Sequence, residues 1–265
     1  MGGSLNRREF VRLGGAGLAG AALLGVAGCG GEQSTAPVRH GPRDGWIAAS
    51  TGNDRVVDHV VLLGDSVFDN AAYVAGAPDV VRQVRQRLQP GSKATLEAVD
   101  GSTTSDVRGQ LLRVSEDTTH LVVSVGGNDA LSRGDFLDAP ARSTAEALSR
   151  LAAIGDEFER AYLAMLTEVL ARGLPTAICT VYYPRFPEAA LQKVAVAGLT
   201  VFNDCIVRAA FAHGLPLLDL RLICTEEEDY ANPIEPSARG GEKIARAIVG
   251  YVESGPLGGR SEVFT

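Results

Sequence analysis

The stretch His59-Val-Val-Leu-Leu-Gly-Asp-Ser-Val-Phe-Asp-Asn70 holds the residue best placed for chemistry, Ser66. Val60 to Leu63 is an unbroken β-branched and aliphatic run, the pattern of a strand covered on both faces. Gly64 permits a sharp turn, and Asp65 and Ser66 fall where strand becomes loop. A serine at the C-terminal end of a parallel strand, ahead of a helix, stands where α/β folds place their chemistry. Its hydroxyl becomes a nucleophile when a neighbouring base takes the proton. Taken alone, the tripeptide is equally a turn without chemistry. Three more blocks follow other apolar runs: Gly101, then Gly126-Gly127-Asn128-Asp129, then Asn232-Pro233-Ile234-Glu235 with Pro236-Ser237 and Gly240-Gly241 behind it. By themselves the first of these is a glycine turn and the second a helix cap.

The elements that must position these blocks alternate between strand and helix. Residues 71–88 are expected to be helical, capped by Asp69 or Asn70 and interrupted or restarted at Pro78. A strand over 94–99 leads past Gly101 into a short helix through Leu111 and Leu112. A third strand spans 120–125. A helix over 143–170 is expected in two pieces, broken near Gly155 and stopped by Gly173 and Pro175. A strand over 176–182, a long helix over 187–212, a short strand over 216–220 and a last helix over 237–252 complete the body. Such alternation predicts a parallel sheet with helices on both faces. Right-handed crossovers bring every strand's C-terminal end to one edge, and all four blocks share it.

In order and spacing, the four blocks resemble those of the SGNH, or GDSL, hydrolase superfamily over residues 57–252. The resemblance implies a flavodoxin-like three-layer α/β/α sandwich around a central five-stranded parallel sheet. It also implies hydrolysis of carboxylic esters, acyl or acetyl groups on lipids or carbohydrates, without metal or cofactor. Ser66 then matches the nucleophile. Its backbone N–H, the N–H of Gly101 and the side-chain amide of Asn128 match three oxyanion donors. The residue types suit that task. Glycine lets backbone approach substrate closely, asparagine offers N–H donors without charge, and losing one donor typically costs about 3–4 kcal/mol of barrier.

The fourth block departs from the family pattern. Asp-x-x-His is usual there, and this chain has Asn232-x-x-Glu235. The flanking Pro236-Ser237 and Gly240-Gly241 keep the frame. His59 precedes the first strand, His120 opens the third and His213 precedes the fifth, all across the sheet from the chemistry, and His40 lies in a linker. Glu235 is therefore the base the alignment supplies, with Asn232 expected to orient it by donating a hydrogen bond. A carboxylate is a weak base at about 4.3 against about 6.5 for histidine, and burial among Pro233, Ile234 and Pro236 is expected to raise it. Two other readings stand beside an active esterase. One is a weakened protein that binds an acyl or glycan ligand without turnover, and the other is a structural lipoprotein with a relic site. Tyr182, Tyr183 and Phe186 are candidates to line a pocket, and Arg185 to hold an anionic substrate group.

The 265 residues carry a formal charge of -7, with 45% hydrophobic and 22% charged side chains. That balance suits a globular body and lacks the basic patch that nucleic acid requires. Residues 1–29 read as a targeting segment. Asn6-Arg7-Arg8-Glu9-Phe10-Val11 resembles a bacterial twin-arginine export signal, and Val26-Ala27-Gly28-Cys29 resembles a lipobox whose cysteine is lipidated. Export and a membrane tether through Cys29, facing the extracytoplasmic side, are the expectation. Residues 30–54 read as a linker, 55–253 as the hydrolase-like domain and 254–265 as a C-terminal tail. Cys179 and Cys224 are expected on neighbouring strands, as a disulfide or as buried thiols.

Overall fold

The expected strand run over Val60–Leu63 is the centre of the molecule. In the computed structural model, which describes residues 57–255 and 259–265, it forms β1, His59–Gly64, buried at every position. The expected N-terminal leader and linker, with Cys29 and His40, lie outside the described residues. Side chains of β1 alternate between two cores, as the period of a strand requires. Val60 and Leu62 join one apolar cluster, while Val61 and Leu63 join another.

Further strands are β2 (Lys93–Leu96), β3 (His120–Ser124), β4 (Thr176–Cys179) and β5 (Leu217–Leu218). They pair in parallel in the order β2-β1-β3-β4-β5. One layer of helices holds α1 (Val80–Arg87), which packs Val80, Val81 and Val84 against the first cluster. The other layer holds α2 (Val107–Leu111), α3 (Gly127–Leu131), α4 (Thr144–Leu170) and α5 (Ala189–His213). Phe158, Tyr162 and Leu166 of α4 and Phe202, Ile206 and Ala210 of α5 fill the second cluster. A short α6 (Leu220–Ile223) follows β5. A two-stranded hairpin, β6 (Tyr230–Asn232) and β7 (Glu235–Pro236), leads into α7 (Ala238–Glu253), which returns to the first layer through Ile244, Ala245 and Ile248. The expected three-layer α/β/α sandwich is therefore present.

The sheet has six strands rather than the expected five. Val263–Phe264, read from the sequence as tail, form β8 and pair in parallel with Leu217–Leu218 of β5. Three local expectations also change. Residues 71–77 are turns rather than helix, with positive φ at Ala75 (49°) and Gly76 (87°), and α1 starts only after Pro78, capped by Asp79. Helix α4 is unbroken at Gly155. That glycine serves close packing of α4 on α5, because a Cβ there would lie 2.4 Å from Val201 Cγ1. Cys179, Cys205 and Cys224 are buried free thiols. Burial first of all pushes the Cys224 thiol up to about 12, which makes it a packing group and a poor nucleophile.

Strand order reverses at β1, since β2 is added on one side and β3 on the other. That switch point opens a crevice beyond the C-terminal ends of β1 and β3, the place where open α/β sheets bind ligands.

Candidate active site

Ser66 sits on the turn that leaves β1 at this crevice. Gly64 makes the turn possible. Its φ is 126°, and a Cβ there would lie 1.8 Å from the carbonyl oxygen of Ser124. Asp65 N–H donates to that same oxygen at 3.0 Å, which ties the turn to β3. The Asp65 carboxylate accepts the Val67 N–H at 3.0 Å, and its carbonyl accepts the N–H groups of Phe68 and Asp69. Ser66 is fully buried.

The fourth block comes to this serine from 169 residues away. Ser66 Oγ donates to Glu235 Oε1 at 3.2 Å, and Glu235 is itself 1% exposed. Two adjoining features of the hairpin explain how the carboxylate is held. Asn232 and Glu235 face each other as the last pair before the Pro233-Ile234 turn. Asn232 Oδ1 accepts the backbone N–H groups of Ile234 (3.0 Å) and Glu235 (3.1 Å). Both donors are N–H groups, so the amide oxygen must face them. Asn232 thus meets Glu235 through the backbone, not through the expected amide-to-carboxylate hydrogen bond.

Neighbouring elements pin the same hairpin. Tyr182 Oη donates to Ile234 O at 2.7 Å, and Arg185 N–H donates to Pro233 O at 2.7 Å. Asn70 Nδ2 donates to Pro236 O at 3.3 Å, while Asn70 Oδ1 accepts the first N–H of α1, from Val80, at 2.9 Å. Asn70 therefore does serve a helix N-terminus, ten residues on rather than at Ala71. At the hairpin's base, buried Asp229 takes the Lys243 ammonium at 2.8 Å. Arg185, a candidate for holding substrate anions, donates instead to Thr225 O and lies over the Tyr230 ring, 5.4 Å from its centroid.

Gly101 and Asn128 also reach this edge. Gly101 has φ 87°, and no acceptor among the described residues takes its N–H. Its loop is fastened to the serine turn, because Asp100 N–H donates to Asp69 Oδ2 at 2.9 Å and Tyr73 Oη donates to Asp100 Oδ2 at 2.7 Å. Asn128 lies in the first turn of α3 and donates through Nδ2 to Ser102 O at 2.8 Å. One of its two N–H bonds is thereby spent on orienting the amide, and the other remains as a donor. Next to it, Asp129 accepts both the N–H (3.1 Å) and the hydroxyl (2.7 Å) of Thr104. Burial holds the Asp129 carboxyl above its ordinary value against those two hydrogen bonds.

The three histidines among the described residues stay away from this edge. His59 opens β1, with Nδ1 3.0 Å from Asp117 and Nε2 2.8 Å from Thr95 Oγ1. His120 opens β3, 3.6 Å from Asp58. His213 ends α5.

One residue that sequence reading missed is Gln110. Its side-chain amide pairs with Gly64 as a strand would, accepting the Gly64 N–H at 2.7 Å and donating to Gly64 O at 2.8 Å. It also reaches Ser102 Oγ at 3.2 Å, so one buried amide joins the serine turn to the Gly101 loop. The signal was present. Gln110 shares the i, i+3, i+4 face of Val107 and Leu111, where a polar residue must find partners.

An apolar groove opens beside the site, enclosing about 750 Å³ of space that is partly open to solvent. Gly127, next to Asn128, and Ile234, next to Glu235, both line it.

Residues 62–243 match the model of the GDSL-like Lipase/Acylhydrolase family. No curated protein matches the chain at a significant level. Among solved structures it is similar to the extracellular lipase of Streptomyces rimosus, at 18% identity over 76% of this chain and 100% of that one, with a TM-score of 0.54. It is similar to phospholipase A1 of Streptomyces albidoflavus NA297 at 17% identity, over 76% of this chain and 100% of that one, with a TM-score of 0.53. An acetyl xylan esterase, AlAXEase, gives 16% identity over 75% and 100% and a TM-score of 0.51. At these identities the likeness is one of fold.

Proposed function

Because the chain belongs to the GDSL-like lipase/acylhydrolase family, we propose that it hydrolyses carboxylic esters through Ser66, with Glu235 as the general base. The observation that carries this reading is the buried contact of 3.2 Å between Ser66 Oγ and Glu235 Oε1. Ser66 Oγ attacks the ester carbonyl carbon while its proton passes to Glu235. Negative charge develops on the carbonyl oxygen and is met by the N–H groups of Ser66 and Gly101 and the remaining N–H of Asn128. Collapse of this intermediate breaks the bond to the leaving oxygen, and Glu235 returns the proton to release the alcohol. Water then attacks the acyl-serine and gives its proton to Glu235. The second collapse frees Ser66, which Glu235 reprotonates, and releases the acid.

A contact of 3.2 Å is longer than a hydroxyl–carboxylate bond of about 2.5–2.7 Å. Catalytic hydrogen bonds are often long before substrate arrives and tighten in the complex. The substrate on this reading is a small-molecule, glycan or lipid ester. The Arg7-Arg8 leader and the Cys29 lipobox fit export by the twin-arginine route and a lipid tether on the extracytoplasmic face.

A fluorophosphonate probe tests the nucleophile directly. Ser66 Oγ attacks phosphorus, fluoride leaves, and the adduct adds a defined mass to the peptide containing Ser66. Labelling of the native domain and none of Ser66→Ala supports the reading. An unlabelled native domain, with no Ser66-dependent ester turnover, overturns it in favour of binding without turnover.

A further inference from the structure

We infer that Gln110 is a positioning residue for the reaction: its side-chain amide keeps the serine turn and the Gly101 loop in register, and so aims all three oxyanion donors. The inference rests on the Ser66 hydrolase reading and adds a residue that touches neither the substrate nor the reacting atoms. Three observations support it.

The first is where the sheet stops. Strand β2 ends at Leu96, opposite Leu62, so Gly64 lies two residues past the last partner that β2 offers β1. On the β3 side the chain is held by the bond from Asp65 N–H to Ser124 O. On the β2 side Gly64 O accepts Val99 N–H at 3.1 Å, and the Gln110 amide supplies the rest, taking Gly64 N–H at 2.7 Å and donating to Gly64 O at 2.8 Å. The side chain thus extends the sheet by one pairing, at the residue where the serine turn departs.

The second is a bond that pairing with Gly64 does not require. Gln110 Nε2 also donates to Ser102 Oγ at 3.2 Å. Ser102 follows Gly101, and its carbonyl accepts Asn128 Nδ2 at 2.8 Å. From one amide the links therefore run to Ser66 along two residues of backbone, to Gly101 along one, and to Asn128 through the carbonyl of Ser102. Gln110 is 2% exposed and both its N–H bonds are spent, so it acts only through these groups.

The third is the division of labour in the loop. Asp69 holds Asp100 N–H on one side of Gly101, and Asp129 holds Thr104 on the other. Between these anchors, Ser102 is held by Gln110 and Asn128. Losing the Gln110 amide lets the middle of the loop shift while its ends stay fastened, and a site of this kind tolerates misplacement of only about 0.5 Å.

Gln110→Met keeps the length of the side chain and removes the amide. With an aryl butyrate, kcat is expected to fall about 100-fold, with KM within about threefold of native. Combining it with Asn128→Ala should cost well short of the product of the two single losses, because Gln110 acts partly through Asn128. A merely structural role would multiply instead. Ser102→Ala cuts only the link to the loop and keeps the carbonyl that Asn128 uses. It is expected to lower kcat about tenfold, and it carries the test if Gln110→Met does not fold. Amide hydrogen exchange reads the anchor without turnover: Gly64 and Val99 should exchange about tenfold faster in Gln110→Met than in the native protein.

Ser66-dependent turnover with both single variants within about threefold of native kcat overturns the assignment and leaves the hydrolase reading standing. A double variant that loses the full product also overturns it. No Ser66-dependent turnover, with faster exchange at Gly64 and Val99 in Gln110→Met, overturns the hydrolase reading and supports the anchor. No turnover with unchanged exchange overturns both.

Discussion

Replacing Glu235 by glutamine isolates the proton-transfer step. Glutamine has the same shape, so the hairpin turn and the buried space around position 235 are kept. Asn232 reaches position 235 through its backbone N–H, a contact the substitution leaves alone. What disappears is the anion 3.2 Å from Ser66 Oγ. A positioned general base contributes typically about 10²–10⁴-fold. At about 1.36 kcal/mol per decade this is roughly 2.7–5.5 kcal/mol of barrier. We expect kcat/KM on an aryl butyrate to fall by that factor in Glu235→Gln. Ser66→Ala should fall at least as far, and the double variant should be no worse than Ser66→Ala, because residues acting as one unit are not additive. Glu235→Gln within about threefold of native activity, beside an inactive Ser66→Ala, would refute the reasoning and turn attention to His40.

Three more outcomes are expected. Asn128→Ala should lower kcat by about 10²–10³ with little change in KM, because the donor acts on the oxyanion more than on the bound ester; the same assay checks it. Asp219, which caps α6, accepts from Thr180 Oγ1 at 2.9 Å and from the Arg221 guanidinium at 2.8 and 2.6 Å. Burial pushes its carboxyl up, and the hydrogen bonds from Arg221 and Thr180 more than offset this, so it stays below its ordinary value. A depressed carboxyl stabilises the fold above the unfolded pKa and loses that contribution as pH falls through the folded one. Asp219→Asn should therefore cost about 1–3 kcal/mol in urea unfolding at neutral pH, with the gap closing in acid. Cys29→Ser should move the exported protein from the detergent phase to the aqueous phase on Triton X-114 partition, if lipid at Cys29 is its tether.

Local signals in the sequence reached the fold where burial and spacing agree. Val60–Leu63 could only be a strand covered twice, and it is. Glycines were harder to read, because one residue type serves opposite purposes. Gly155 looked like a helix break but is the point where α4 touches Val201 of α5. Helical propensity over 71–79 lost to Pro78 and to the bonds of Asn70, whose partners at Val80 and Pro236 are invisible to local pattern. At the site, residue types and order picked out Ser66, Gly101, Asn128 and Glu235 as candidates, and the structure brings Ser66 and Glu235 into contact. The apolar face of Val107 and Leu111 marks Gln110 as a polar residue in need of partners, but not which ones, since Gly64 lies 46 residues away. Nor could residue types and order show that Asn232 engages backbone, because an Asn beside a Pro offers no cue to which of its atoms is used. The sixth strand is two residues long and carries no periodicity to read.

The two departures in the fourth block make sense as a pair. In the Asp-x-x-His arrangement the aspartate orients the histidine and stabilises the imidazolium formed when it takes the serine's proton. A carboxylate that takes the same proton becomes neutral and needs no counter-charge. An aspartate at 232 would instead place a second negative charge on the same four-residue turn and oppose ionisation of Glu235. Asparagine keeps the part of the task that needs only an oxygen, which is accepting the N–H groups of Ile234 and Glu235. Orientation then passes to the scaffold. Tyr182 holds Ile234 O, Arg185 N–H holds Pro233 O and Asn70 holds Pro236 O, so the hairpin is fixed on both sides of the base. Among the described residues, the carboxylate that meets the serine is that of Glu235, and backbone hydrogen bonds hold the turn that carries it.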